Sequence, residues 1–193
     1  VSSSSLNEIF WPDKEEDKAK NLKGVTISNL RKTLLELDGI RLVYDKGIFK
    51  IEIEDTLCFC DYFNLHIHLA THPQSCEYFL PIWERGKLLE NIEHSLFDKY
   101  KQRSEDTILS LLPKDLPVYY QHNEYRYVLR ICFIILNRDP LNERALMYSV
   151  RCYKKMNDFE NLSKIYSAFI IEYRKSMGED YTQTIEDLLQ EES

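Results

Sequence analysis

Residues 18–37, KAKNLKGVTISNLRKTLLEL, have the spacing of an amphipathic helix. The apolar stripe recurs at intervals of three and four residues and comprises Ile27, Leu30, Leu34 and Leu37. A second face carries polar residues, which are Lys23, Thr26, Asn29 and Lys32. Trp11-Pro12 ends a short helix before it, because the residue preceding proline is pushed out of the helical region. Asp38-Gly39 is expected to end the helix.

A β-hairpin is expected directly after this helix. The strands predicted from β-branched and aromatic residues are Arg41–Tyr44 and Ile48–Ile53. Asp45-Lys46-Gly47 lies between them and is a typical hairpin turn. A basic helix beside a small β wing is the arrangement with which a winged helix-turn-helix approaches DNA.

The charge is unevenly distributed along the chain. Residues 18–50 carry eight lysines and arginines against three acids, whereas residues 51–193 carry sixteen against twenty-four. The formal net charge of the whole chain is −7. An acidic protein does not bind DNA by bulk attraction, but a local basic patch still contacts phosphates.

The bulk composition is that of a globular, helix-rich protein. The 193 residues suffice for one large domain or two small ones, and 44% of them are hydrophobic. No apolar stretch reaches the ~20 residues that span a bilayer, and residues 1–5 do not resemble a signal peptide. The five cysteines are an odd number, which favours reduced, buried thiols in a cytoplasmic protein.

The second half of the chain has helical periodicity and an internal repeat. A long helix, or two, is expected over residues 90–112, ended by Pro113, with a linker at residues 114–117. After it, the apolar pattern that starts at Tyr125 recurs 34 residues later at Phe159. A period of 34 residues is the tetratricopeptide spacing, in which helix pairs stack to bury their apolar faces.

Several motifs of the chain resemble those of one family. The first half matches the C-terminal two-thirds of a winged-helix domain, through Ile9–Asp13, Ala19–Asn21, Val25–Lys32 and Gly47–Ile51. The second half matches the bacterial transcriptional activator domain, through Cys60–Tyr62, Gly86–Leu89, Arg138–Glu143 and Ser176–Gly178. In this order the motifs resemble the antibiotic-regulatory-protein (SARP) class of bacterial activators, and they cover nearly the whole chain.

The resemblance implies a fold and a domain organisation. The fold class is mainly α, with a partial winged helix-turn-helix and its β-hairpin wing followed by an α-helical tetratricopeptide-like bundle. The expected domains are residues 1–57, which lack the N-terminal sheet and first helix of the family, and residues 58–193. The chain is therefore expected to be the C-terminal portion of a longer regulator, either cytoplasmic or the cytoplasmic end of a membrane-anchored protein.

The same resemblance implies a DNA-binding transcriptional regulator acting in signal transduction. Thr26 and Asn29 are expected to face base edges, since asparagine pairs with adenine. The expected phosphate contacts are Lys20, Lys23, Arg31, Lys32 and, at the tip of the wing, Lys46. Double-stranded DNA is the expected partner, and the helical repeats would contact RNA polymerase, a second copy of the chain or a signalling element.

Two further features of the sequence bear on metal binding and on catalysis. One cluster has metal-ligand residue types, namely Cys58, Cys60, His66, His68, His72 and Cys76. His68 and His72 have a spacing that can bind zinc, but the whole cluster fits no common zinc module, so we predict no metal and no cofactor. The chain has no glycine-rich phosphate loop, G-x-S-x-G or H-E-x-x-H motif, so we predict no enzyme and no small-molecule substrate.

The aromatic residues of the repeats allow an alternative function. Most are expected to form apolar seams between helices. Tyr127, Phe133 and Tyr153 lie off the strongest stripe and are predicted to contact a partner. The alternative to a DNA reader is therefore a protein-interaction module of helical repeats, with a winged helix that is vestigial or serves as a dimer contact.

Overall fold

The structure, a computed structural model, describes residues 1–54, 62, 65 and 77–190. The chain divides into two compact units, Val1–His68 and Leu69–Ser193. The described residues are mainly helical and include a two-stranded antiparallel hairpin, which confirms the predicted class at that level. The expected domain boundary between residues 57 and 58 lies outside the described residues and stays a prediction.

The first unit begins with two helices, α1 (Ser3–Phe10) and α2 (Glu16–Leu34). Ser2 caps α1 by accepting a hydrogen bond from the backbone N–H of Ser5 at 3.0 Å. Helix α2 ends at Leu34, earlier than the expected end at Asp38-Gly39. The reason is a tightened last turn, in which Glu36 and Leu37 donate backbone bonds to carbonyls three residues back, at 3.2 and 3.1 Å.

The predicted hairpin is confirmed. Strands β1 (Ile40–Asp45) and β2 (Ile48–Ile53) pair antiparallel, with Tyr44 opposite Phe49. Lys46 and Gly47 form a two-residue turn with φ of 47° and 82°, the left-handed values that such hairpins require. The N-terminal residues pair with β2, because Phe49 donates its backbone N–H to the Val1 carbonyl at 2.8 Å.

The first unit has a thin core. One face of the hairpin is wholly apolar and consists of Ile40, Leu42, Tyr44, Phe49, Ile51 and Ile53. Helix α2 packs against β1 and α1, yet Ala19 is its only buried residue. The predicted apolar stripe of α2 is correspondingly half covered: Ile27 and Leu34 are half-buried, whereas Leu30 is 36% and Leu37 49% exposed.

The second unit is helical throughout its described part. A 3-10 turn at Glu77–Phe79 precedes six helices, which are α3 (Leu80–Trp83), α4 (Ser95–Gln121), α5 (Tyr125–Leu136), α6 (Glu143–Lys155), α7 (Phe159–Met177) and α8 (Ile185–Leu189). From α4 to α7 each helix packs on the next, and α8 packs on α6. The helices α5 and α7 begin 34 residues apart, at Tyr125 and Phe159, as the repeat predicts.

Helix α4 contradicts the predicted break and linker at residues 113–117. It runs unbroken through Pro113 and Pro117. Each proline removes one helical hydrogen bond and crowds the preceding turn. Tertiary packing overrides this cost, because every fourth residue of α4 from Ser104 to Leu116 is buried, on both sides of Pro113.

A buried arginine connects the early helices of the second unit. The side chain of Arg138 is 2% exposed and lies 3.4 Å from the Glu105 carboxylate on α4. It also donates to the carbonyls of Trp83 and Gly86, at 3.1 and 2.8 Å. Burial raises the pKa of Glu105 despite this arginine. The cluster ties the end of α3 and the segment after it to α4 and α5.

Among the helices that the structure describes, none combines the length and the apolar character that crossing a bilayer requires.

Candidate nucleic-acid interface

Four of the five basic side chains predicted to hold phosphates border one groove of the first unit. Lys20, Arg31 and Lys32 line a groove of about 550 Å³ between α2 and the hairpin. Tyr44 and Phe49 form its opposite side, with ring centroids 4.5 Å apart. We call it the hairpin groove. None of the residues that line it is acidic, so it is locally cationic in an acidic chain.

Lys23 also borders the hairpin groove, but it has a different role. Its ammonium group donates to the carbonyl and the hydroxyl of Ser3, at 3.1 and 2.6 Å. The side chain is half-buried, whereas Lys20 and Lys32 are exposed. Lys23 therefore connects α2 to the start of α1, and its ammonium group is engaged inside the unit.

The predicted base-reading residues do not line the groove. Thr26 and Asn29 are both exposed on α2. At about 100° per residue, Asn29 lies about 60° from Lys32 around the helix, whereas Thr26 lies about 120° and Lys23 about 180° from it. The four residues expected to form one face therefore wind halfway round α2. Asn29 and Lys32 are therefore the neighbouring pair of this series, both exposed, with Lys32 at the edge of the hairpin groove and Asn29 outside it.

Lys46 occupies the tip of the hairpin, as predicted. It is exposed and is the first residue of the two-residue turn. Positive φ is uncommon for a residue other than glycine, and here the turn fixes it. The ammonium group is thereby presented at the end of the hairpin, beyond the last paired residues Asp45 and Ile48.

Apolar side chains are exposed around the same helix. Val25 is 62%, Leu22 41% and Leu35 83% exposed. Val25 lies only about 20° from Lys32 around the helix. The exposed surface of α2 is thus mixed, with a cation and an amide beside apolar residues.

The three predicted partner-binding residues differ in exposure. Phe133 is 52% exposed on α5. Tyr127 is half-buried and lies against Tyr119, with ring centroids 4.1 Å apart, and burial raises its pKa. Tyr153 is half-buried and packs on the core cluster around Leu146. Phe133 is the one of the three that presents a large free apolar surface.

A second groove, which was not predicted from the sequence, lies within the second unit. It has a volume of about 850 Å³ and is formed by the end of α4, the start of α5, α6 and α8. Its cations are Arg144, Arg151 and Lys155, all on one side of α6. Their spacing of seven and four residues is a helical signal that could have revealed this basic groove from the sequence.

Other reactive groups offer no site in the described part of the chain. Cys132 and Cys152 are buried, and burial raises the pKa of each thiol to about 12, so neither is a nucleophile at neutral pH. The cluster from Cys58 to Cys76 lies outside the described residues, and the expectation that it holds no metal stays a prediction.

Comparison with known proteins gives no relative. The chain matches no protein-family model, no curated protein sequence and no solved structure. The function is therefore inferred from the sequence and geometry of the two units themselves.

Proposed function

We propose that this chain is part of a DNA-binding transcriptional regulator of the SARP-like class. In this proposal the first unit is a partial winged helix and the second a tetratricopeptide-like bundle. The observation that carries it is the hairpin groove with its neighbours, where exposed Lys20, Arg31 and Lys32 are combined with a two-stranded wing ending in Lys46. The order helix, helix, hairpin in residues 1–54 also supports it.

The geometry refines which residues would meet DNA. Lys32 at the edge of the hairpin groove and Asn29 beside it are exposed neighbours on α2, and we assign this pair to the major groove. Lys20 and Arg31 lie on the flank that faces the wing and would hold the phosphates beside it. Lys46 would reach the backbone from the wing tip. Lys23 is no longer a first choice, because its ammonium group is bound to Ser3.

Electrostatics sets the character of the expected binding. Residues 18–50 are basic and the rest of the chain is acidic, so the attraction is confined to a small surface. Each neutralised phosphate releases about one counterion, which makes the affinity fall steeply with salt. In the second unit, the repeats would mediate contact with a second copy, with RNA polymerase or with a signalling element, in a cytoplasmic protein.

The test is to titrate the full-length protein into labelled DNA from upstream of its own gene and to measure binding by fluorescence anisotropy at several salt concentrations. Lys32→Glu should weaken binding to all sequences and lower the salt slope by about 1. Asn29→Ala should instead relax sequence preference, at about 1–3 kcal/mol if the amide pairs with adenine.

The matched control is Lys14→Glu, which makes the same charge change at an exposed position before α2. It should leave the salt slope within error of the parent protein. If the full-length protein shows no salt-sensitive binding to this DNA, the proposal is wrong. Equal weakening by Lys14→Glu and Lys32→Glu would also contradict it, since bulk charge alone would then explain the effect.

The alternative is a protein-interaction module, and the exposed apolar residues favour it. Four apolar side chains of the first unit are each more than half exposed: Val25 on α2, Leu35 directly after it, and Tyr44 and Ile51 on the hairpin. Surfaces of this kind commonly mark protein contacts. In this case Val25→Asp would dissociate a dimer in sedimentation equilibrium, and Lys32→Glu would have no DNA binding to weaken.

A further inference from the structure

The basic groove of the second unit contrasts in charge with its surroundings. Residues 69–193 carry sixteen lysines and arginines against twenty acids, and this unit is therefore acidic overall. The groove nevertheless contains Arg144, Arg151 and Lys155, with Glu143 as the single acid among the residues that line it. A groove that is locally positive on an acidic unit attracts an anionic ligand.

Two of the three cations are available to a ligand. Arg151 donates to the carbonyls of Leu188 and Gln190, and so it holds the C-terminal helix α8 in place. Arg144 and Lys155 are exposed, and no ion pair or hydrogen bond engages either side chain within the described part of the chain. Neither side chain therefore contributes to the fold through a polar contact.

The two available cations have a defined separation. They are eleven residues apart on α6, so they lie within about 20° of one face and about 16 Å apart along the helix axis. An extended peptide covers that distance in about five residues. Because alternate side chains of an extended peptide point to the same side, two carboxylates four residues apart, about 13 Å, face both cations at once, and the long side chains of the two partners cover the remaining distance.

The rest of the groove is suited to a peptide. Tyr120 packs against Tyr125 and Tyr148, with ring centroids 5.7 and 5.5 Å apart, and Met147 lies beside them. These side chains give a rigid apolar wall at small entropic cost. Gln121, Asn123 and Gln183 line the groove as well. The amide oxygens of Asn123 and Gln183 already accept from the hydroxyls of Tyr125 and Tyr181, and this orients their NH₂ groups as donors for a peptide backbone.

We propose that this groove binds an extended acidic peptide segment of a partner protein, with two carboxylates four residues apart and an apolar side chain midway between them. Arg144 and Lys155 pair with the carboxylates, and the tyrosine wall takes the apolar side chain. A nucleic acid fits less well, because its continuous phosphate chain would run on into the acidic surface of this unit. The inference is independent of DNA binding by α2.

The test uses a fluorescein-labelled peptide that carries two glutamates four residues apart with a phenylalanine midway between them, so that all three side chains point to the same side. We expect saturable binding that weakens with salt, and at least about a tenfold loss when both glutamates are glutamine. Arg144→Glu with Lys155→Glu should cause a loss of similar size. Placing the two glutamates next to each other should also weaken binding, since one cation then lacks a partner.

The matched control is Lys99→Glu with Arg103→Glu, which makes the same charge change at exposed positions of α4 outside the groove. It should bind the peptide like the parent protein, and so should Lys32→Glu, which separates this result from the DNA proposal. Circular dichroism verifies that each variant is folded.

Three results would overturn the inference. The first is no binding of the glutamate peptide by the parent protein, and the second is equal binding of the glutamate and glutamine peptides. The third is binding of a single-stranded DNA oligonucleotide but not of the peptide, where the DNA binding is lost when Arg144 and Lys155 are both replaced by glutamate.

Discussion

At the scale of the residue, two glycines of the first unit have equal space but opposite conformational requirements. Gly24 lies inside α2 and Gly47 in the hairpin turn, and a Cβ added to either would meet no atom within 4 Å. Gly47 has a φ of 82°, which only glycine adopts without strain. Gly24 is helical, where alanine is preferred by roughly 0.5–1 kcal/mol.

We therefore expect Gly24→Ala to stabilise the first unit and Gly47→Ala to destabilise it, each by about 1 kcal/mol. The chain has two tryptophans, and Trp11 belongs to the first unit while Trp83 belongs to the second. Fluorine NMR of protein labelled with fluorotryptophan during urea unfolding therefore follows each unit separately. If the free energy of unfolding changed in the same direction in both variants, the space around these positions, rather than their backbone conformation, would control the effect.

Lys23 and Lys32 show how far the sequence predicts the candidate site. Residue type and helical position identify both as basic residues of α2, and the structure agrees. Their roles differ because a spacing of three residues turns back by about 60° at each step, so a polar series longer than two members leaves its face. The bond from Lys23 to Ser3 joins two helices, and no local pattern encodes it.

At the scale of the element, the hairpin was predictable, whereas the continuation of α4 beyond Leu112 was not. Asp45-Lys46-Gly47 is a local signal whose backbone conformation is almost independent of its surroundings. Pro113 is also a local signal, but its preference was overridden by packing at Ile108, Leu112 and Leu116, all nearly inaccessible to solvent. Long-range burial therefore decides the cases in which local preference and tertiary structure conflict.

The prolines of α4 lead to a prediction about this element. Pro113→Ala restores a backbone N–H and relieves crowding against the preceding turn, although the unfolded chain gains freedom. We expect a net stabilisation of about 1–2 kcal/mol, measured in urea by the Trp83 resonance. Lys114→Ala, at the exposed neighbouring position, should change stability by less than about 0.5 kcal/mol. A destabilised Pro113→Ala would instead mean that the shape the proline gives α4 is needed for its packing.

At the scale of the whole molecule, the two units differ in how much apolar surface they bury. Within residues 1–54 the buried side chain is Ala19. The second unit buries many more apolar side chains, among them Ile131, Leu146 and Val150, each with no exposed surface. Stability follows buried apolar area, so the units should differ in resistance to unfolding, and the apolar surfaces left open on the first unit are the natural place for a partner.

This difference predicts that the Trp11 resonance reports unfolding at lower urea concentration than the Trp83 resonance, and that the amides of α2 exchange faster than those of α5 and α6. If the first unit binds DNA as proposed, DNA should raise the free energy of unfolding of that unit by RT ln(1 + [L]/Kd), about 2.7 kcal/mol at a hundredfold excess over Kd, because only the folded state binds it. The Trp11 transition should then shift to higher urea concentration. The acidic peptide should move the Trp83 transition in the same way. Coincident transitions without ligand would contradict the argument, since the thin core of the first unit would then be as stable as the deep core of the second.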